Sequence, residues 1–304
     1  MKTTSNSGGI LAAVFLLAAL LLTGCGGGGG GGGDVTSTTG TISGTAVKGP
    51  VNGGTVTAYG INANGTKGAQ IGTATTNAQG NFSVNVGNYS GAVMLQLSGG
   101  SYTDEATGQP MNMYQNTVMT ALIPTITAGG SIGNIEITPV TSMAQTWAQN
   151  MSGGMTQANI AAANSAMGQF FNIGDILTTH PMDPLVQDSG VGANQDQRNY
   201  GMTLAAMSQE AADLDMPYSS GIVTAMMGDA SDGTMDGMMS GSNISMGGMG
   251  GMMGGIMMQS TAGTSDLASA MTAFIDNITY NRSGLTTTDM QTLIDKLNAS
   301  NGTI

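Results

Sequence analysis

Cysteine is nearly absent from this chain of 304 residues: Cys25 is the only one. No intrachain disulfide and no multi-cysteine zinc site can be built. Histidine is as scarce, with His180 alone, so no histidine pair exists to share a metal. Basic residues number six against eighteen acidic ones, a formal net charge of −12. A phosphate backbone would be repelled, so nucleic acid is not an expected partner. Anionic lipid surfaces would be repelled for the same reason. Only 8% of residues are charged, and Glu105, Glu136 and Glu210 are the only glutamates. Two acids in a cleft are enough for glycoside hydrolysis, but nothing in the spacing of these residues suggests such a pair. The expectation is a protein that is not an enzyme.

No apolar run is long enough to span a bilayer, which takes roughly 20 residues. The longest, Ile10–Leu22, follows a short start carrying Lys2 and closes in Leu22-Thr23-Gly24-Cys25. A short buried helix is one reading. A basic flank and small residues before a cleavage point are the marks of a secretory signal. The tetrapeptide resembles the lipobox of bacterial lipoproteins. That resemblance implies a signal peptide over residues 1–24 and acyl chains on Cys25, which would leave no free thiol. Each buried methylene contributes about 0.8 kcal/mol, so two or three chains give stable anchoring. The expected partner is thus a membrane, held through the N-terminal acyl chains. Gly26 follows the cysteine where an inner-membrane retention signal would place Asp. By resemblance to enterobacterial sorting, this implies an outer-membrane lipoprotein.

Gly26–Gly33 is unbroken glycine. With no side chain to bury and the largest backbone entropy to lose, it reads as a tether spanning roughly 15 Å. Residues 25–39 are therefore read as lipidated cysteine and linker.

Residues 40–138 carry short period-two patterns. Ile42, Gly44 and Ala46 share a face, as do Val56 and Ala58. Ile71–Thr76 is extended and β-branched. Phe82, Val84 and Val86 alternate, as do Val93, Leu95 and Leu97; Val118, Thr120 and Leu122 follow, then Ile135 and Ile137. Seven such segments with Asn-Gly and Gly-Asn turns predict an antiparallel β-sandwich. The run Gly44–Val56, with Lys48-Gly49-Pro50, and the run Thr75–Val84 resemble the two signatures of carboxypeptidase regulatory-like domains. The resemblance implies a transthyretin-like sandwich that is usually non-catalytic and acts as a spacer or interaction module. Related sandwiches bind carbohydrate, and Tyr59, Tyr89, Tyr102 and Tyr114 are the candidate stacking faces. Lys48, Asn134 and Glu136 are the residue types of the lysine–asparagine cross-link found in some pilin and adhesin sandwiches. Lys48 falls in a Gly-Pro loop, so an exposed lysine is expected instead.

After Thr138-Pro139 the period changes. Helices are predicted around Val140–Gln149, after an N-cap at Thr156, along Tyr200, Leu204, Met207, Ala211 and Leu214, and over Ser219–Met227. Leu267, Met271, Phe274, Ile275 and Ile278 form another stripe. Met290, Leu293, Ile294 and Leu297 form the last, behind a Thr286–Asp289 capping box. Residues 139–304 therefore read as an all-α helical bundle, giving a multidomain α and β chain. Thr138–Thr141, Ala161–Asp175, Ile176–Pro184 and Asp229–Gly237 resemble a helical region that follows such sandwiches in bacterial surface lipoproteins. His180 is expected to be a loop histidine with local hydrogen bonds.

Residues 226–258 hold eleven methionines and ten glycines. Met235, Met238, Met246, Met249 and Met252 are spaced so that thioethers could converge on Cu(I) or Ag(I). Adaptable core packing, a low-complexity loop and oxidant scavenging are the competing readings. Asp229, Asp232 and Asp236 could hold Ca²⁺, or could simply cap turn amides. The expectation is a non-catalytic, lipid-anchored cell-envelope protein with an unidentified protein or glycan partner. The alternatives are a Met-rich Cu(I)/Ag(I) binder and a carbohydrate-binding accessory lipoprotein.

Overall fold

The computed structural model describes residues 39–246 and 255–304. Cys25, the signal-like segment, the glycine run, Met249 and Met252 lie outside the described residues. Among the described residues no helix is long and apolar enough to cross a membrane.

Nine strands come first: β1 Gly40–Ala46, β2 Thr55–Ile61, β3 Lys67–Thr75, β4 Asn81–Gly87, β5 Gly91–Ser98, β6 Ser101–Thr103, β7 Pro110–Asn112, β8 Val118–Ile126 and β9 Ile132–Ile137. They form a three-stranded sheet in the order β4-β1-β9, a four-stranded sheet in the order β3-β2-β5-β8, and the hairpin β6-β7. Alternation sets the buried face. In β4, Phe82, Val84 and Val86 point inward between exposed neighbours. Ile42, Val56, Leu95, Leu97 and Ile135 from both sheets join one hydrophobic cluster.

Two expectations need correction. Pairing is not antiparallel throughout, because β1 and β9 run parallel, with Gly44 beside Ile135 and Thr45 beside Glu136. The chain reaches β9 only after crossing to the other sheet, so the last strand can return alongside the first in the same direction. Here glycine is required at residue 44: a Cβ on it would sit 1.8 Å from the Ile135 carbonyl oxygen. The β6-β7 hairpin adds to the seven segments read from the sequence, since three-residue strands carry too little alternation to show there.

Six helices follow: α1 Pro139–Asn150, α2 Gln157–Phe170, α3 Gln195–Asp213, α4 Gly221–Asp229, α5 Ser265–Asp276 and α6 Thr287–Ala299. Their starts follow side-chain chemistry. Thr156 accepts from the Asn159 amide, and Asp289 Oδ2 accepts from the Thr286 amide and hydroxyl. Ile278 is a correction: α5 ends at Asp276, and Ile278 is 89% exposed. The region is not purely helical either. Two-residue strands β10 Met238–Met239 and β11 Ser242–Asn243 pair, as do β12 Ser245–Met246 and β13 Ile256–Met257.

Helices and sheets share packing. Strand β8 is buried along Met119–Ile123 on both faces because α1 and α2 cover it. Ser142 Oγ accepts from the Thr120 amide at 2.8 Å, Thr141 Oγ1 donates to the Thr120 carbonyl at 2.7 Å, and Asn164 donates to the Leu122 carbonyl. The architecture is mixed α and β.

Candidate functional site

A cavity of about 700 Å³ lies where β1, β9 and the start of α3 meet. Strand β1 contributes Ser43, Gly44 and Thr45, and Asn81 with Phe82 opens β4 beside them. Asn134 and Glu136 come from β9. Asn134 sits in the left-handed region at φ 58°, which asparagine tolerates, within the stretch where the β1–β9 register shifts between Ile132 and Ile135. Asn194 and Gln197, a reciprocal capping pair at the start of α3, complete the far side.

The loop carrying Thr178, Thr179 and His180 is held from several directions. The Glu136 amide donates to the Leu177 carbonyl at 2.8 Å. Asp175 accepts from the Leu177 amide and the Thr178 hydroxyl. Tyr200 Oη, fully buried on α3, donates to the Ile176 carbonyl at 3.0 Å and meets Thr138 Oγ1 at 2.6 Å. Met182 packs against α3 so closely that a Cβ at Gly201 would lie 2.0 Å from the Met182 carbonyl oxygen.

This scaffold brings His180 Nδ1 to 3.0 Å from Glu136 Oε1. A local partner is the expectation for His180; its partner lies on strand β9 instead. The imidazole is 58% exposed while the carboxylate is buried. Burial pushes the Glu136 carboxyl up from 4.5, with the His180 hydrogen bond opposing it. The same hydrogen bond raises His180 above 6.5 against its own partial burial. Glu136 Oε2 is buried without any hydrogen-bond partner. A buried carboxylate oxygen left unpaired beside a roomy polar cavity is costly by about 1–3 kcal/mol, a cost that a ligand donor or water removes. The wall supplies amide and hydroxyl groups, one acid and one imidazole. No hydroxyl nucleophile is hydrogen-bonded to the imidazole among the described residues.

A second buried acid–base cluster lies elsewhere. Lys48 was expected to be exposed; it is 0% exposed. Its ammonium is 3.2 Å from Glu105 Oε2 and 4.0 Å from Asp104 Oδ2, and it also donates to Ser208 Oγ. Burial is the largest influence on Lys48 and pulls it down, but Glu105, Tyr102 and Asp104 together outweigh it and hold the amine above 10.5. Asn134 and Glu136 are not its partners.

The remaining predicted residues disperse. Tyr102 is buried with its hydroxyl 2.8 Å from Ser219 Oγ, and the Tyr59 ring is covered by Lys67 Nζ at 3.7 Å. Tyr102 therefore offers no free stacking face, and one face of Tyr59 is taken by the lysine. Met235 and Met246 are buried, and Met238 is exposed. Asp229 accepts from the amides of Asp236 and Gly237, Asp232 from Thr234 and Ser240, and Asp236 from Met238. The three aspartates serve as turn caps, and among the described residues no three acidic, histidine or cysteine side chains form a metal-holding group. Of the two readings of these aspartates, turn capping is the one their hydrogen bonds display.

No known family model matches the chain, and no curated protein matches it. Among solved structures, a 9R-lipoxygenase from Cyanothece PCC8801 is similar at a TM-score of 0.20 and 8% identity. The match covers 63% of this chain and 24% of that one.

Proposed function

We propose that this chain is a non-catalytic, lipid-anchored protein of the bacterial cell envelope that serves as a surface interaction module. Leu22-Thr23-Gly24-Cys25 supports the anchor, and Gly26 after the cysteine supports the outer membrane. The two sheets of four and three strands are compatible with the transthyretin-like sandwich that the Gly44–Val56 and Thr75–Val84 signatures imply. The interaction reading is carried by one observation: a roomy polar cavity walled by amides and hydroxyls, with an unpaired Glu136 oxygen.

Anchoring is tested by metabolic labelling with an alkyne-bearing palmitate and by membrane fractionation. The native chain is expected to carry the label and sediment with membranes, and Cys25→Ser to do neither. A native chain that stays in the soluble fraction sinks the proposal.

A carbohydrate-binding role is the second reading, favoured by that same lining. Asn, Gln, Thr and Ser groups can each pair with sugar hydroxyls, and an uncharged polyol needs no counter-ion. A glycan array probed with the full chain is expected to give hits lost in Glu136→Ala. Hits that survive that substitution place the sugar elsewhere. The Cu(I)/Ag(I) reading rests on methionine spacing alone, with Met235 and Met246 buried.

A further inference from the structure

A second cavity, about 330 Å³, opens between α3 and α5 on the helical side of the molecule. Leu214, Met246, Ala262, Ala270 and Ala273 give it hydrocarbon walls, and Glu210, Asp213 and Asp266 give it three carboxyl groups. Its described lining holds no basic side chain. Two of the acids have neutral partners. Asp213 Oδ1 accepts from Gln209 Nε2, and Asp266 Oδ2 accepts from Thr261 Oγ1, each at 2.8 Å. Glu210 is different: it is 5% exposed, it lines the cavity, and its Oε2 has no hydrogen-bond partner.

We infer that this cavity is a binding site for a small organic cation, a primary amine or diamine on a short hydrocarbon body. Three features select that class. Among the described residues the three acids have no ion-pair partner, the salt bridges being those of Lys48 with Asp104 and Glu105 and of His180 with Glu136. The carboxylates are spread along the wall, and no trio converges as a bare metal ion requires. The remaining wall is apolar, so a ligand with methylenes between its N–H donors covers more of it than a hydrated ion does. An ammonium donates up to three hydrogen bonds, which suits one unpaired carboxylate flanked by two paired ones.

The charge balance gives a distinctive signature. Burial, then Asp266, Asp213 and Asp229 in that order, push the Glu210 carboxyl up to about 9, so it holds its proton at neutral pH. Asp229, itself pushed up to about 7 by burial, is the remaining nearby acid. When an alkylammonium enters, the Glu210 proton passes to buffer and the carboxylate pairs with the cation.

The test uses the full chain at pH 7.5, titrated calorimetrically with 1,4-diaminobutane, butylamine and 1-butanol. The two amines are expected to bind with Kd values of about 10 µM to 1 mM. Butanol should bind at least about tenfold more weakly. Repeating the diamine titration in phosphate and in Tris should reveal about one proton released per ligand. Glu210→Gln keeps shape and fold, since the native residue is already neutral at this pH, and should abolish proton release while weakening the amine about tenfold or more. Ala273→Leu keeps a good helix former and every carboxylate, and should block entry. Absence of amine binding, equal binding of butanol, or unchanged proton release in Glu210→Gln each overturns the inference. Tighter binding of Ca²⁺ than of either amine overturns it in favour of a metal.

Discussion

Glu105 and Glu136 are both buried glutamates with a basic partner, yet they sit in opposite circumstances. Glu105 has both oxygens occupied: Oε1 accepts from the Gly49 amide at 2.8 Å, and Oε2 accepts from Lys48 at 3.2 Å and Ser208 at 2.6 Å. Its base is wholly enclosed. Asp104 beside it accepts from Ser219 and from Thr107, and Tyr102 meets Ser219 in turn. This network links the β6-β7 hairpin to α3 and to the start of α4 with nothing left over. Glu136 has one oxygen on a half-exposed histidine and the other unpaired beside a cavity. A completed buried network rigidifies the fold it sits in, whereas an incomplete one at the edge of solvent is where a ligand gains binding energy. The first cluster is therefore architectural, and the second is the one that the proposed interaction role would use.

The sharpest test of that contrast is Lys48→Met. It strands two buried carboxylates and should cost about 3–5 kcal/mol, measured by urea unfolding. Replacing Lys48, Glu105 and Asp104 together by apolar residues of similar volume should recover most of that loss. A Lys48→Met loss below about 1 kcal/mol would dissolve the distinction between the two sites.

Next in size, Gly44→Ala forces a methyl against the Ile135 carbonyl and should cost about 2–3 kcal/mol. It should also reduce binding in the Glu136 cavity, since the strands that frame it must part. Tyr200→Phe removes a hydroxyl serving Ile176 and Thr138 and should cost about 1–2 kcal/mol. Because that hydroxyl holds the His180 loop, the cavity ligand should dissociate faster from this variant, while the Lys48 cluster stays intact.

Smallest in stability but most specific is Glu136→Gln. His180 is raised by Glu136, so its bonus is complete below 6.5 and is lost as pH rises through its folded value. Glu136, raised by burial, also loses folded stability as pH rises from 4.5 through its own folded value. Both effects make the native protein less stable with increasing pH. Glu136→Gln should flatten that slope and return His180 toward 6.5, read by proton NMR of the imidazole. A His180 titration unmoved by the substitution breaks the pair.

Much of the scaffold was legible in the sequence because it is written in local patterns. Phe82, Val84 and Val86 announce β4 by alternation, and Thr156 and Thr286 announce α2 and α6 by side-chain caps. The sites were not legible, because their partners meet only after folding. Lys48 lies 57 residues from Glu105 and 160 from Ser208, and His180 lies 44 from Glu136. A Gly-Pro loop around a lysine reads as surface until β6 and α3 close over it. Direction of pairing is equally silent: Ile135 and Ile137 show a strand but not that it runs alongside β1. Ile278 continues a helical stripe in sequence, yet α5 stops at Asp276, and Asn281 from the following turn donates to the Ile275 carbonyl.

The central position of β1 has a mechanical consequence. It is the first strand of the described residues, and it is bonded to β4 on one side and to parallel β9 on the other. Under the proposed N-terminal anchor, drag on the body would enter the fold at Gly40. Tension directed along β1 loads both hydrogen-bond ladders in shear, all at once, where an edge strand would peel away bond by bond. Resistance to pulling is then a matter of unfolding rate. With the proposed anchor in place, the sheet that frames the cavity would also carry the mechanical load.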